Sequence, residues 1–360
     1  MKNFDCVRKG YTFDDLYLVP KYSEVSSRRD PDISGEISNG FLFKVPIVSA
    51  NMGKVTESEM VNEICRLGGT GCIHRFMSDE ELIEQIRKVS DEYFGMFGIS
   101  IGVDTTRTEN LLQKMGKDIL NKVGYIVIDI AHGHHFKMKE AIKHIKNLCN
   151  KPIIAGNICT VQAAKNLIDW GADTVKVGLG SGAMCSTRLV AGVGYPQLSA
   201  IREISTFIKE NSDYKHAKII SDGGMRYSGD VVKSLAAGAH FVMLGGMLSG
   251  AKETPGNVLT LFNGNKVKIY EGSASINVQA SHFKREAEEI TAEGVSTFVK
   301  YKGGLRHVIK DIIGGIKSGF SYMGCSTLCE LHEVGSWEDS WVKITGSGRV
   351  EGTPHGAGLI

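Results

Sequence analysis

The sequence predicts one α/β domain, a (β/α)8 TIM barrel with a flap insertion near its C-terminal end. Three observations predict it. Eight short apolar runs alternate with amphipathic stretches of helical length, almost every run is followed by polar or glycine-rich residues, and 42% of the 360 residues are hydrophobic, enough for one large core. An open doubly wound sheet is the alternative for the same alternation, but eight repeats close naturally into a barrel.

The runs come in order. The first is Val45 to Ser49, the second Gly71 to Ile73, the third Met96 to Ile101 and the fourth Tyr125 to Asp129. Ile153 to Gly156, Thr174 to Val177, Lys218 to Ser221 and Phe241 to Leu244 complete the set. Each is short and apolar, and their alternation with helices argues for a parallel sheet with crossovers. Glu57 to Leu67, Asp79 to Val89, Val161 to Trp170 and Gly229 to Ala236 carry the helical spacing between them. The stretch from about 251 to 306 breaks the rhythm, being long, mixed and polar, and is expected to cover the barrel mouth as a flap. The end, 346–360, is glycine-rich and is expected to be a frayed tail or an arm ordered by a neighbouring subunit.

Composition excludes several classes. Forty-two basic and 40 acidic residues leave a net charge of +2, which suggests neither a nucleic-acid nor a membrane surface. No apolar run reaches membrane-spanning length and the first ten residues lack a secretory apolar core, so a cytoplasmic protein is expected. The eight cysteines are scattered without a zinc pattern, as buried or idle thiols of a reducing compartment would be.

In a barrel the active site forms at the C-terminal ends of the strands. After the sixth strand comes Gly178-Leu179-Gly180-Ser181-Gly182-Ala183-Met184-Cys185-Ser186-Thr187-Arg188. Alternating glycines let this backbone turn tightly, and a cysteine among polar neighbours can serve as a nucleophile. The bland alternative is a tight turn with a packed thiol. Asp222-Gly223-Gly224 and Gly245-Gly246 follow strands seven and eight, where barrels often bind phosphate through backbone amides. They can equally be ordinary turns, and Asp222 can instead hold a ribose diol.

Together these residues resemble the family of inosine monophosphate dehydrogenases and guanosine monophosphate reductases. The resemblance runs from Thr12-Phe13-Asp14-Asp15 to about His355. Its anchors include Val48-Ser49-Ala50-Asn51-Met52, Gly68 to His74, Asp129-Ile130-Ala131-His132-Gly133-His134, Gly156-Asn157, the Cys185 loop, Ser221-Asp222-Gly223-Gly224 and Glu293-Gly294. The paired regulatory module that dehydrogenases usually insert after the second helix is missing, since Val89 to Phe97 leads straight into strand three.

The resemblance implies roles. Cys185 would attack C2 of a purine nucleotide monophosphate, with Thr187 and Glu293 handling the proton. Asp222 would hold the ribose. Gly223, Gly224, Gly245, Gly246 and the Tyr270 hydroxyl would form the phosphate site, with Ser49, Met52 and Ser275 also facing substrate. Asp129, Ala131 and Asn157 would face the cofactor, NADPH for a reductase or NAD for a dehydrogenase. Backbone carbonyls of Gly180, Gly182 and Cys185 would hold a monovalent cation such as K+, and the chain would assemble as a homotetramer.

The direction of reaction turns on the flap. Dehydrogenases place an arginine there to activate water, whereas this chain has Ser281-His282-Phe283 at the corresponding place. His282 can act as a base, although a flap histidine is more often simply solvated. The missing arginine favours a GMP reductase, as does Tyr195-Pro196-Gln197-Leu198-Ser199-Ala200. Tyr11 to Pro20, Ala131 to His134, Leu189-Val190-Ala191-Gly192 and Glu351 to His355 look more like a dehydrogenase. The chain also departs from both groups: Ala183 replaces a phosphate-binding serine, Gly53 an aspartate, Ser273-Ala274-Ser275 a methionine-containing turn at the base, and Ile290 an arginine frequent in reductases.

Overall fold

The computed structural model describes residues 7–283 and 291–352. Eight parallel strands close into a barrel: β1 (Ile47–Ser49), β2 (Thr70–Ile73), β3 (Gly98–Ile101), β4 (Tyr125–Asp129), β5 (Ile153–Ile158), β6 (Thr174–Val177), β7 (Lys218–Asp222) and β8 (Phe241–Leu244). They hydrogen-bond in sequence order, and β8 pairs back onto β1 through Met243 and Val48. All eight predicted runs are barrel strands. Two are shorter than expected, β1 by Val45-Pro46 and β3 by Met96-Phe97, and three are longer: β2 begins at Thr70, β5 runs past Gly156 to Ile158 and β7 ends at Asp222.

Seven helices that pack around the barrel are α1 (Ser58–Arg66), α2 (Asp79–Lys88), α3 (Thr105–Lys122), α4 (Phe136–Leu148), α5 (Val161–Asp169), α6 (Gln197–Glu210) and α7 (Ser228–Ala236). Their starts are written in the sequence. Ser78 and Glu81 form a reciprocal capping box on α2, and Asp104 and Thr160 accept from backbone amides at the starts of α3 and α5. The apolar stripe of each faces the strands; on α1 it is Met60, Val61, Ile64 and Cys65. Residues 89–97 between α2 and β3 hold only a short helical turn, Asp91–Tyr93.

The predicted flap region leaves the barrel after β8. It forms a three-stranded antiparallel sheet, β9 (Leu259–Thr260), β10 (Lys266–Glu271) and β11 (Ser296–Lys300), and a helix, Ile276–Phe283. The chain then returns to the barrel wall as α8 (Leu305–Tyr322), which packs on α7. The described part of the C-terminal segment is ordered. Gly346–Glu351 is a helix capped by Thr345, and Arg349 donates to the Asp14 carbonyl at 3.0 Å, so these residues pack on their own chain instead of fraying. Ile290 and Thr353-Pro354-His355 lie outside the described residues. Among the described residues no helix is long and apolar enough to cross a membrane.

At the opposite end of the barrel two half-buried histidines pack against each other. His240 and His332 have ring centroids 5.1 Å apart. Burial, then the charges of His332 and Lys218, pushes His240 well below its usual 6.5, and burial also lowers His332. The folded protein therefore takes up protons on this pair less readily than the unfolded chain, which protonates them below about pH 6.5. Their contribution is complete above that pH and is lost as pH falls through it, at up to about 1.4 kcal/mol per pH unit for each histidine. Urea unfolding at pH 7.5, 6.5 and 5.5 should show this loss, and a His240→Gln variant should show a shallower slope.

Candidate active site

The Cys185 loop leaves the C-terminal end of β6 and is clasped by the flap. Cys185 forms an antiparallel bridge with Gly294; the Ser186 amide donates to the Glu293 carbonyl at 2.9 Å and the Val295 amide to the Met184 carbonyl at 3.0 Å. This pairing brings Glu293 to the cysteine. The Thr187 hydroxyl donates to Glu293 Oε2 at 2.7 Å and lies 3.1 Å from Cys185 Sγ. Because the hydroxyl proton is committed to Glu293, Thr187 receives from the thiol. A proton leaving Cys185 thus has a two-step path, through Thr187 to a carboxylate, and the thiol faces the open mouth of the barrel.

Beneath the cysteine lies a charged network centred on Lys176. The residue is on β6, is 2% exposed, and its Nζ lies 2.8 Å from Asp129 Oδ1 and 2.7 Å from Asp222 Oδ2. It also donates to Asn157 Oδ1. Asn157 Nδ2 donates to the Gly178 carbonyl at 2.7 Å and to Asp222 Oδ2 at 3.0 Å, while Asn51 Nδ2 donates to Asp129 Oδ2 at 2.9 Å. Burial pushes Asp129 up, but the Lys176 ammonium, Arg75 and these donors more than reverse it, and its carboxyl stays below the usual carboxylate range. Burial pulls Lys176 down and the two carboxylates push it further up, so it remains a cation. Space for this lysine comes from Gly156, where a Cβ would stand 2.6 Å from the lysine's own.

Glycines pack behind residues that line the cavity. Gly223 and Gly224 have φ of 89° and 82°, and a Cβ on Gly223 would stand 2.8 Å from Ser181 Oγ, so this turn packs directly on the Cys185 loop. A Cβ on Gly245 would meet the Tyr270 hydroxyl at 2.9 Å and Met52 Sδ at 3.1 Å. Gly246 faces the methyl of Ala183, 3.5 Å from where its own Cβ would be. Burial first, then the charge of Asp222, pushes Tyr270 up, so its phenol keeps its proton and can donate.

The resulting cavity holds about 320 Å³ and is lined by Cys185, Thr187, Glu293, Asp129, Ala131, Asn157, Asp222, Met52, Tyr270, Gly180 and Gly182 among others. Most of the residues singled out in the sequence therefore converge. Two do not line it. Ser49 is fully buried in the barrel and accepts from Thr56 Oγ1 at 2.9 Å, and Ser275, also buried, donates to Glu271 Oε1 at 3.0 Å under the flap turn. Both hydroxyls are consumed by structure. The turn Gly272-Ser273-Ala274 itself does line the cavity.

The carbonyl-rich loop proposed for a monovalent cation carries a fixed positive charge nearby. Arg188 donates through Nη2 to the Leu179 carbonyl at 3.1 Å and packs over Gly180, and the Gly182 carbonyl accepts the Cys185 amide at 3.0 Å. His282 sits in the last turn of the flap helix. Sequence reading missed Lys176, Asn51 and Arg188. A lysine between two valines inside a fully buried strand is the one signal that could have revealed the first of them.

Comparison with known proteins identifies the family of the chain. The chain matches the family model described as "IMP dehydrogenase / GMP reductase domain" over residues 10–355. It is 34% identical to the inosine-5'-monophosphate dehydrogenase of Cryptosporidium parvum, covering 98% of this chain and 97% of that one. It is also 34% identical to that of Borreliella burgdorferi, with 97% of each covered. Among solved structures it resembles a cysteine-to-alanine variant of GMP reductase from Trypanosoma brucei in complex with guanosine 5'-monophosphate, with a TM-score of 0.85, 26% identity, and 99% and 100% of the two chains covered. A closed barrel, a cysteine loop clasped by its flap and a family match across almost the whole length lead to one conclusion: the chain belongs to the IMP dehydrogenase / GMP reductase family of purine nucleotide oxidoreductases.

Proposed function

We propose that the protein is a GMP reductase, converting GMP to IMP through a covalent bond between Cys185 and purine C2. The observation that carries this reading is the hydrogen-bonded chain Cys185–Thr187–Glu293. Cys185 adds to C2 as its proton passes through Thr187 to Glu293. The same relay then returns that proton to the departing 2-amino group, which leaves as ammonia. The C2–sulfur adduct remains. NADPH, when bound, supplies the hydride that C2 requires; the carbon–sulfur bond breaks and the thiolate is regenerated.

The other residues fit supporting roles. Oδ2 of Asp222 is held by Lys176 and Asn157, so Oδ1 is turned to accept from the ribose. Amides at Gly224 and Gly246 with the Tyr270 phenol suit a phosphate. Asp129, Asn157 and Ala131 offer carboxylate, amide and a small wall to a nicotinamide. Carbonyls of Gly180, Gly182 and Cys185 are the proposed K+ ligands. Leu189 and Val193 beside the loop and Phe262 and Phe298 on the flap are exposed apolar groups that support a homotetramer. Seven described cysteines with free thiols support a cytoplasmic setting.

The second reading, an IMP dehydrogenase working with NAD, is favoured by the names of the 34% identical relatives. It needs a water activator, and Ser281-His282-Phe283 offers no arginine. The two are separated by supplying GMP with NADPH and IMP with NAD+. Loss of reduced-cofactor absorbance in the first mixture with formation of IMP is expected. NADH formation confined to the second would establish the dehydrogenase instead.

Ala183 provides a further test at the phosphate end. Ala183→Ser places a hydroxyl beside Gly246, and a charge-assisted hydrogen bond there is worth about 1.5–3 kcal/mol. The nucleotide KM should fall by about tenfold or more with kcat little changed. Unchanged KM would mean that the phosphate lies elsewhere.

A further inference from the structure

Lys268 is a second buried lysine, well away from the Lys176 network, and the reaction above does not use it. It lies on β10, is 2% exposed, and points at one turn of the chain. Its Nζ stands 3.3 Å from the Ala251 carbonyl and 3.1 Å from that of Lys252, and it also donates to the Thr254 carbonyl. Three carbonyl oxygens converging on one point are the ligand set that a monovalent cation takes; here an ammonium fills it. Burial works against that charge, and the carboxylates of Glu59 and Glu253 favour it.

The turn that Lys268 grips continues directly from Gly245-Gly246. Ser249 and Leu248 amides donate to the Gly245 carbonyl at 2.9 and 3.0 Å, forming one helical turn that ends at Ala251. Two residues along β10, on the same strand face as Lys268, stands Tyr270, whose hydroxyl reaches Gly245. The strand thus touches this segment twice, with the ammonium at one end and the phenol at the other. Lys302 reinforces the far side through the Met247 carbonyl at 2.9 Å, and the Lys252 amide binds the Gly303 carbonyl at 2.7 Å.

We propose that Lys268 is a positioning residue: its ammonium serves as the protein's own monovalent cation in a three-carbonyl cage, fixing β10 to the Gly245–Thr254 segment so that Tyr270 and the Gly246 amide meet the nucleotide phosphate together. The inference rests on the reading of Gly246 and Tyr270 as the phosphate site.

Lys268→Met keeps the methylenes and removes the charge; Lys268→Ala empties the cage. In both, nucleotide KM should rise by about tenfold, the loss of one charge-assisted hydrogen bond, with a smaller change in kcat and none in cofactor KM. In Lys268→Ala, n-propylammonium or K+ should restore the nucleotide KM saturably, while tetramethylammonium at equal ionic strength should not. Equal losses for nucleotide and cofactor, or no rescue by any small cation, would overturn the proposal. Thermal melting of Lys268→Ala with and without n-propylammonium reads the cage independently of turnover. A cation-dependent rise in Tm supports the cage, and no rise contradicts it. If the unsubstituted protein turns over neither GMP nor IMP, the functional reading fails, while the melting experiment still judges the cage.

Discussion

Cys185→Ala is expected to abolish turnover, lowering kcat by at least about 10⁴-fold, on the scale of removing a catalytic nucleophile. No other described group stands in the same relation to Thr187 and Glu293, so no neighbouring side chain can replace it. The variant should nevertheless bind nucleotide within about threefold of the parent, because Asp222, Gly224, Gly246 and Tyr270 are untouched. It should also fold normally, since the thiol is exposed and a surface change of this kind usually costs within about 0.5 kcal/mol. Steady-state kinetics with calorimetric nucleotide titration separates the two effects. Loss of binding together with turnover would place the nucleotide's main contact at the thiol itself.

Lys176→Met should produce the largest loss of stability. The ammonium is the common partner of Asp129 and Asp222, at 2.8 and 2.7 Å, and its removal leaves two partly buried carboxylates facing one another. Removing one member of such a buried charged group costs about 3–5 kcal/mol. Urea unfolding measures this directly. Activity should suffer on both substrates at once, because the proposed reaction sets Asp222 against the nucleotide and Asp129 against the cofactor; KM should rise for each. Asp222→Asn introduced into Lys176→Met should recover part of the lost stability by removing one of the opposed charges, and additive losses would show that the charges are not coupled.

The barrel was legible because parallel strands buried on both faces read as uninterrupted apolar runs, and Thr174 to Val177 and Phe241 to Leu244 were placed to the residue. The same habit concealed Lys176, which was counted as one position in a strand. Only the tertiary structure shows that its side chain runs past Gly156 to three polar partners contributed by other strands. Cys185, Thr187, Asp129, Asn157 and Asp222 line one cavity, since a motif fixes the local backbone and the barrel brings strand ends together. Ser49 and Ser275 were misplaced for a related reason: a motif gives neighbourhood but not the direction in which a side chain points. The flap was recognisable as a break in rhythm, yet its clasp on the Cys185 loop is backbone pairing between residues 184–186 and 293–295, and pairing across a hundred residues leaves no pattern in either segment.

The proposed reaction requires that purine C2 become bonded to Cys185 during turnover. Its most direct test is to quench the protein with acid during turnover of GMP with NADPH, and of IMP with NAD+, and to weigh the peptide that carries Cys185. A purine nucleotide attached at Cys185 is expected in the productive mixture and none in Cys185→Ala. Sustained turnover with Cys185 unmodified throughout, or undiminished turnover by Cys185→Ala, would contradict it.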